Sequence, residues 1–355
     1  MSMRSLARHF RFAVYGLVVG ALIGVPTGIW MSTSESMLPP WYKRWLNDPD
    51  LVERSIAGGA LGGGSGDGFD FTGLAVRRTE IKRGGPGKDG IPALTDPKTM
   101  DVAEVKFLAI DDRLISVAID GEVRAYPIRL LNWHEIVNDT VGGVPIAVVY
   151  CPLCDSVTVV DRRVDDEIVD FGVSGLLYQS NVLMYDRTHA GLWSQIMMEC
   201  ISGPHVGQTL VHLPWEIAEF GDWRARNPDG TVTTFDTGHT RRYEMSPYVE
   251  YIETDRLLFP LDRVDTRLPL KERVIGIRHG ETTVAYRVSD ILRSNHGGAG
   301  GHFSAPVGDH RIVVDGDART GRVRIVEIPD GASVIHTFWY AWASTHPETT
   351  IHGLR

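Results

Sequence analysis

Apolar residues are spread along this chain in two unlike ways. One run, residues 12–31, carries no charged side chain, and its length is close to the ~20 residues that cross a bilayer as a helix. From Val105 onward the apolar residues fall instead into short β-branched stretches, at 114–119, 122–126, 146–150 and 157–161, each bounded by Gly, Asp or Pro. Stretches of that length and composition predict strands. Between them, residues 127–138 predict a helix with Pro127 in its first turn and Leu130, Leu131, Ile136 and Val137 on its apolar side. Residues 214–227 predict a second helix, with Trp215, Ile217, Ala218 and Trp223 facing inward and Pro228-Asp229-Gly230 ending it. The expected fold is mainly β with short helices (α+β).

The first run has the flanks of a membrane anchor. Arg4, Arg8 and Arg11 precede it, and basic residues stay on the cytoplasmic side of a span. This reading makes residues 1–11 cytoplasmic and 12–32 a single-pass anchor in the lipid bilayer of the cytoplasmic membrane, with the rest of the chain on the periplasmic or extracellular side. A cleaved signal peptide is the competing reading. Beyond the anchor, Pro39-Pro40-Trp41-Tyr42 and Trp45 form an aromatic belt, and residues 57–68 hold seven glycines as a flexible linker. Residues 33–100 are therefore read as a juxtamembrane and linker segment.

The remainder carries a weak internal repeat. Residues 116–126 (SVAIDGEVRAY) resemble 275–286 (IGIRHGETTVAY), each reading as a strand, a Gly-Glu turn and a strand ending in Ala-Tyr, followed by a short helix. Two related β-rich lobes follow from it, 101–235 and 236–355. Any cysteine chemistry then belongs to the first, because Cys151, Cys154 and Cys200 are the three cysteines of the chain. The net charge of −9 speaks against a general phosphate-binding surface and a nucleic-acid partner.

Cys151-Pro152-Leu153-Cys154 is the strongest chemical signal. It stands between two apolar strand-like runs, so it predicts a tight hairpin turn presenting two sulfurs. A thioredoxin-type pair needs a helix at this point, and Val157, Thr158, Val159 and Val160 oppose one. Two thiols so placed can close a disulfide, hold a soft metal or exchange electrons. Outside the cytoplasm a disulfide is an ordinary fate. Cys-Pro-x-Cys-Gly is the sequence of a metal knuckle, and Asp155 stands at the glycine position. Candidate further ligands are His134, His189, Cys200 and His205, while Met184, Met197 and Met198 read as core. Two sulfurs and the His134 imidazole suit copper better than a hard ion. Tyr185, Asp186 and Arg187 form a polar cluster for which no reaction class follows.

A larger pattern joins these segments. Residues 88–94 (KDGIPAL), 125–138 (AYPIRLLNWHEIVN), 151–154 (CPLC), 171–178 (FGVSGLLY), 183–187 (LMYDR), 193–195 (WSQ) and 338–342 (FWYAW) resemble a bacterial and archaeal domain-of-unknown-function family, number 3179. That resemblance implies one extracytoplasmic unit with a shared site around His134, Cys151 and Cys154, and no assigned activity. The family has glycine where this chain has Asp155. Two functions are expected: a membrane-anchored protein with a paired-thiol site of copper or redox type, or a non-catalytic accessory subunit of a membrane electron-transfer complex in which the two cysteines form a structural disulfide.

Overall fold

The computed structural model describes residues 68–294 and 302–352. The expected anchor, the aromatic belt and nearly all of the glycine linker lie outside the described residues. Among the described residues no helix is long and apolar enough to cross a membrane.

The fold is mainly β. One eight-stranded sheet runs His302–Val307, His310–Asp317, Arg322–Glu327, Glu216–Glu219, Arg113–Ile119, Glu122–Pro127, Thr231–Thr233, Thr99–Asp101. A second runs Leu94–Thr95, Ile136–Val141, Val144–Cys151, Ser156–Asp161, Ala332–Phe338, Arg273–His279, Thr282–Arg287, Thr350–His352. A smaller sheet is built from Ile81–Arg83, Phe171–Tyr178, Asn181–Asp186, Leu192–Ser194 and Glu199–Cys200.

The repeated hairpins recur at the same places in the two large sheets. Arg113–Ile119 pairs with Glu122–Pro127, and Arg273–His279 pairs with Thr282–Arg287. Each hairpin is followed by a helix, Ile128–His134 or Val288–Ser294, and by a three-stranded meander. A later strand then pairs antiparallel with the first hairpin strand. A further helix leads to a short strand parallel to the second hairpin strand. Each meander, however, joins the other half's hairpin. Ser156–Asp161 meets Ala332–Phe338, and Arg322–Glu327 meets Glu216–Glu219. The two halves interlock, and each large sheet is shared between them.

The helices over the two hairpins also correspond. Trp223, on the helix Phe220–Arg226, donates its indole N–H to Ser116 Oγ at 2.7 Å. Trp342, on the helix Trp339–Thr345, lies over Gly276, where a Cβ would come within 2.3 Å of the ring. Gly276 is required by that close approach.

The second large sheet is the middle layer. Ile146, Val148 and Tyr150 of Val144–Cys151 pack toward the first sheet with Ile115, Val117 and Ile217. Ala147, Val149 and Cys151 of the same strand pack with Val173, Val182, Met184 and Trp193 of the smaller sheet. A strand covered on both faces reads as an unbroken apolar run, as this one does. Each fully buried Val or Ile there contributes roughly 1.5–3 kcal/mol.

Two predicted helices are shorter than their patterns. The helix over 127–138 is Ile128–His134; Glu135 takes φ 57° and ψ −37°, and Ile136–Val141 is a strand. The helix over 214–227 is the strand Glu216–Glu219 followed by the helix Phe220–Arg226. Trp215 and Ile217 enter the inter-sheet core while Ala218 faces the opposite cluster. That is period two, the spacing of a strand.

Candidate functional site: a buried dithiol

The Cys151–Asp155 turn joins the third and fourth strands of the eight-stranded middle layer. Cys151 pairs with Ser156 across the hairpin, and the Cys154 N–H donates to the Cys151 carbonyl at 3.3 Å. Asp155 closes the turn at φ 46°, a conformation that Asp tolerates better than most side chains. The strand alternation sends consecutive side chains to opposite layers, so the turn has two chemical faces.

One face is anionic and fully paired. The buried Asp155 carboxylate accepts from Arg113 at 3.1 Å, Arg273 Nε at 2.7 Å and the Tyr150 hydroxyl at 3.0 Å. Burial alone would raise its pKa; the two guanidinium groups outweigh that and hold the carboxyl well below the usual range. Arg113 and Arg273 open the equivalent strands of the two hairpins, so both halves of the repeat converge on this residue. His336 Nδ1 also meets the Asp155 carbonyl at 2.8 Å. A cavity of about 440 Å³ is lined by Arg113, Arg273 and His336 and so opens onto this face.

The other face carries the thiols. Cys151 and Cys154 are buried, and neither they nor Cys200 form a disulfide. This corrects the structural-disulfide expectation: the two sulfurs stand as separate buried thiols on one turn. The Asn181 amide donates to Cys154 Sγ at 3.1 Å, and Ser156 Oγ lies 3.5 Å away. Asn181 is held in turn by the Ile196 N–H on its Oδ1 and by Gln195 Oε1, which its amide reaches at 2.8 Å. Gln195 is fixed through its own amide to the Val149 and Ser156 carbonyls at 3.1 and 3.3 Å.

These partners make the two sulfurs unequal. Burial and the hydrogen bond to Cys154 push the Cys151 thiol well above its ordinary value. Burial acts the same way on Cys154, but donation from Cys151, Asn181 and Ser156 outweighs it and lowers that thiol.

Glu135 completes the group. It shares a small cavity with Cys151, walled by Leu153, Val173, Leu177, Val182, Tyr248 and Phe259. Burial, and then the Cys154 charge, raise its pKa from the ordinary 4.5 to about 8. Its strained φ of 57° turns the chain from helix to strand, and its carbonyl accepts the Tyr150 N–H at 2.8 Å. At about 20 Å³, the cavity is close to the smallest that holds one water molecule. Its mouth runs along Gly84, Gly85 and Pro86, where Gly175 at φ 73° lets the backbones meet; a Cβ there would sit 2.9 Å from the Pro86 carbonyl.

The structure takes up both ring nitrogens of His134 away from the sulfurs. Nδ1 lies 2.7 Å from the Pro92 carbonyl and Nε2 lies 2.7 Å from the Tyr243 hydroxyl. A carbonyl only accepts, so Nδ1 carries the proton and Nε2 accepts from Tyr243. Burial lowers this imidazole to about 4, leaving it neutral. The residue next to the thiols is Glu135, its sequence neighbour. Cys200 donates to the Ser202 carbonyl at 3.1 Å, and burial raises it to about 12. Met184 and Met198 lie in the core cluster and Met197 packs against it.

Residues 88–335 match the model of a family described as protein of unknown function, DUF3179. The chain belongs to that family. Two leucine–tRNA ligases of Rhodopseudomonas palustris, from strains TIE-1 and ATCC BAA-98 / CGA009, are each 28% identical to this chain over 201 residues. Those matches cover 54% of this chain and 21% of each ligase, so the chain spans about a fifth of the length of these curated relatives. No solved structure matches. The DUF3179 match encloses the whole dithiol group, from Glu135 to Gln195. Sequence patterning does not mark Asn181 and Ser156 as partners of Cys154, nor Gln195 as the residue that holds them. The visible signal was the cluster of polar residues, Asn181 and Ser194-Gln195, inside otherwise apolar strands.

Proposed function

We propose that Cys151 and Cys154 are the working centre of this protein and take up one soft monovalent ion of the copper(I) type. The observation that carries this reading is the shared cavity. Cys151 lines it beside Glu135, its volume admits a guest of about one atom, and the second free thiol, Cys154, lies on the same turn with donors aimed at it. Soft sulfur ligands favour such an ion, and the apolar wall keeps water from competing. With both sulfurs deprotonated, the bound group would carry one net negative charge. Glu135, which holds its proton up to about pH 8, adds no second charge at neutral pH.

A redox role is the second reading, favoured by the opposite displacement of the two thiol pKa values. The Cys154 thiolate would attack hydrogen peroxide, breaking the O–O bond and forming a sulfenic acid. Cys151 would then displace water from that sulfur to give a disulfide. Two thiols and one peroxide would yield one disulfide and two waters, with Glu135 supplying the proton to the first leaving oxygen.

In the same reading residues 12–32 anchor the chain in the cytoplasmic membrane, with the thiol domain on the outer side. An accessory place in a membrane electron-transfer complex is compatible with either chemistry. Copper analysis of the full chain, purified without oxygen or chelator, tests the reading. One copper per chain is expected, lost in the C151S/C154S double variant. Equal copper in both proteins would remove the metal reading. Peroxide-dependent loss of two titratable thiols in the copper-free chain would then favour the redox one.

A further inference from the structure

We infer that Glu167, His189 and His205 form a second metal site, for a borderline divalent ion of the zinc(II) type, independent of the thiol centre. One ligand atom from each of the three lies within 4.8 Å of the others. The residues come from three separate segments: the two-residue strand Glu167–Ile168, the loop after Asn181–Asp186 and the turn after Glu199–Cys200. Two imidazoles and a carboxylate leave an open position, as in zinc sites that keep an exchangeable water. Ligand atoms around tetrahedral zinc stand about 3.4 Å apart for bonds of about 2.0–2.1 Å, so the three must draw together by less than an ångström each. Glu167 is about half exposed and free to make that adjustment.

His205 is the observation that points to a ligand. Its Nε2 is buried and has no hydrogen-bond partner. Leaving such an atom unpaired is costly, and a metal ion would give it a partner. Its other nitrogen, Nδ1, lies 3.5 Å from the Asp165 carboxylate, which Gln208 holds in place at 2.6 Å. That is the outer-shell arrangement that orients a histidine ligand and leaves its Nε2 lone pair free. The two imidazoles sit edge to face with centroids 5.0 Å apart, and His189 Nε2 lies 3.0 Å from the Glu167 carboxylate.

The loops holding the imidazoles are fixed from beneath. The buried Asp186 carboxylate accepts the His189 N–H at 2.5 Å, the Gly191 N–H at 3.1 Å and the Trp193 indole N–H at 3.1 Å. Trp193 in turn packs within 6.1 Å of the His205 ring. Asp186 and Trp193 belong to the polar-aromatic segments that the dithiol site leaves unexplained, and positioning His189 and His205 gives them a role.

Cobalt(II) titration of the full chain, in the C151S/C154S background so that soft-site binding is removed, tests this assignment. One equivalent is expected to bind with visible ligand-field bands and without the intense near-ultraviolet absorption of cobalt–thiolate bonds. Zinc(II) should displace it. His205→Ala and Glu167→Gln should each abolish or strongly weaken binding, and Asp165→Asn should weaken it about 10- to 100-fold as an orienting residue. Glu167→Gln and Asp165→Asn change exposed groups, so their circular dichroism and melting curves should match the parent and exclude misfolding as the cause. Failure to bind cobalt, or binding that none of these substitutions alters, would overturn the site without touching the copper reading.

Discussion

The two meanders of this fold share a topology and differ at one turn. In the first half the turn between the second and third meander strands is Cys151–Asp155, buried throughout. At the same place in the second half, residues 318–321 form a turn with Ala318, Arg319 and Gly321 exposed, capped locally by Asp317 accepting the Arg319 N–H at 2.8 Å. What separates them is the connection that follows. After Arg322–Glu327 the chain reaches Ala332–Phe338 through a short turn. After Ser156–Asp161 it makes the strands Phe171–Tyr178, Asn181–Asp186, Leu192–Ser194 and Glu199–Cys200 before returning at Glu216–Glu219. That insertion forms four of the five strands of the smaller sheet and lies over the first turn. It supplies Asn181 to Cys154, Gln195 to Asn181 and Ser156, and Val173, Leu177 and Val182 to the cavity wall. The fold covers one copy of a repeated turn and leaves the other in water.

The contrast can be broken most strongly at Glu135. A carboxyl whose pKa rises from 4.5 to about 8 on folding is bound to its proton more tightly in the native state. Its contribution is therefore fully present below pH 4.5 and lost as pH rises toward 8. Glu135→Gln should abolish that loss, so the variant gains on the parent by up to about 4 kcal/mol between pH 5 and pH 8. Denaturant unfolding at the two pH values measures it. A difference that does not change with pH would mean that Glu135 is ionised in the folded chain. The buried His134 and His336 and the partly buried His346, each lowered to about 4, act in the opposite sense. They add stability as pH rises from about 4 to 6.5 in parent and variant alike, so the comparison cancels them.

Asp155 should come next. Asp155→Asn leaves Arg113 and Arg273 without their shared carboxylate; because both guanidinium groups are partly exposed, the loss should be about 3 kcal/mol, at the low end for a broken buried pair. In the second turn, Arg319→Ala removes a largely exposed side chain from its ion pair with Asp317 and should change stability by less than about 0.5 kcal/mol. Thermal melts of the two variants would show whether the equivalent turns carry such unequal weight. Similar shifts would erase the distinction.

Asn181→Ala sharpens the chemical side of the comparison. It removes the amide at 3.1 Å from Cys154 Sγ, so the Cys154 thiolate should appear at higher pH. Ultraviolet thiolate absorbance, taken as the difference from the same background carrying C154S, reads this directly. An unmoved titration would show that the amide does not set the unequal thiols.

Much of the scaffold was legible before its geometry was known. The β-branched runs gave strands, the Val157-to-Val160 run excluded a helix after the cysteines, and the Ala-Tyr hairpins reappear in equivalent sheet positions. The interlocking was not legible, because the pairing of Val157 with His336 joins residues far apart in sequence and leaves no local periodicity. The helix over 214–227 failed because Trp215, Ile217 and Trp223 satisfy a helical stripe while the first two in fact alternate on a strand. Among the site residues, the two sulfurs stood out by rarity. Glu135 did not, since a single backbone turn at φ 57° decides whether it or His134 sits beside the thiols, and no side-chain pattern encodes that turn. Asn181 reaches Cys154, and Gln195 reaches Asn181 and Ser156, only because the smaller sheet folds back over the hairpin.

X-ray absorption at the copper edge of the anaerobically loaded full chain tests the central claim most directly. The account predicts copper(I) bound by two sulfur scatterers with no imidazole shell, since His134 is held by Pro92 and Tyr243, and with the signal absent from the C151S/C154S variant. A nitrogen- or oxygen-bound copper, or a spectrum unchanged by loss of both thiols, would contradict it.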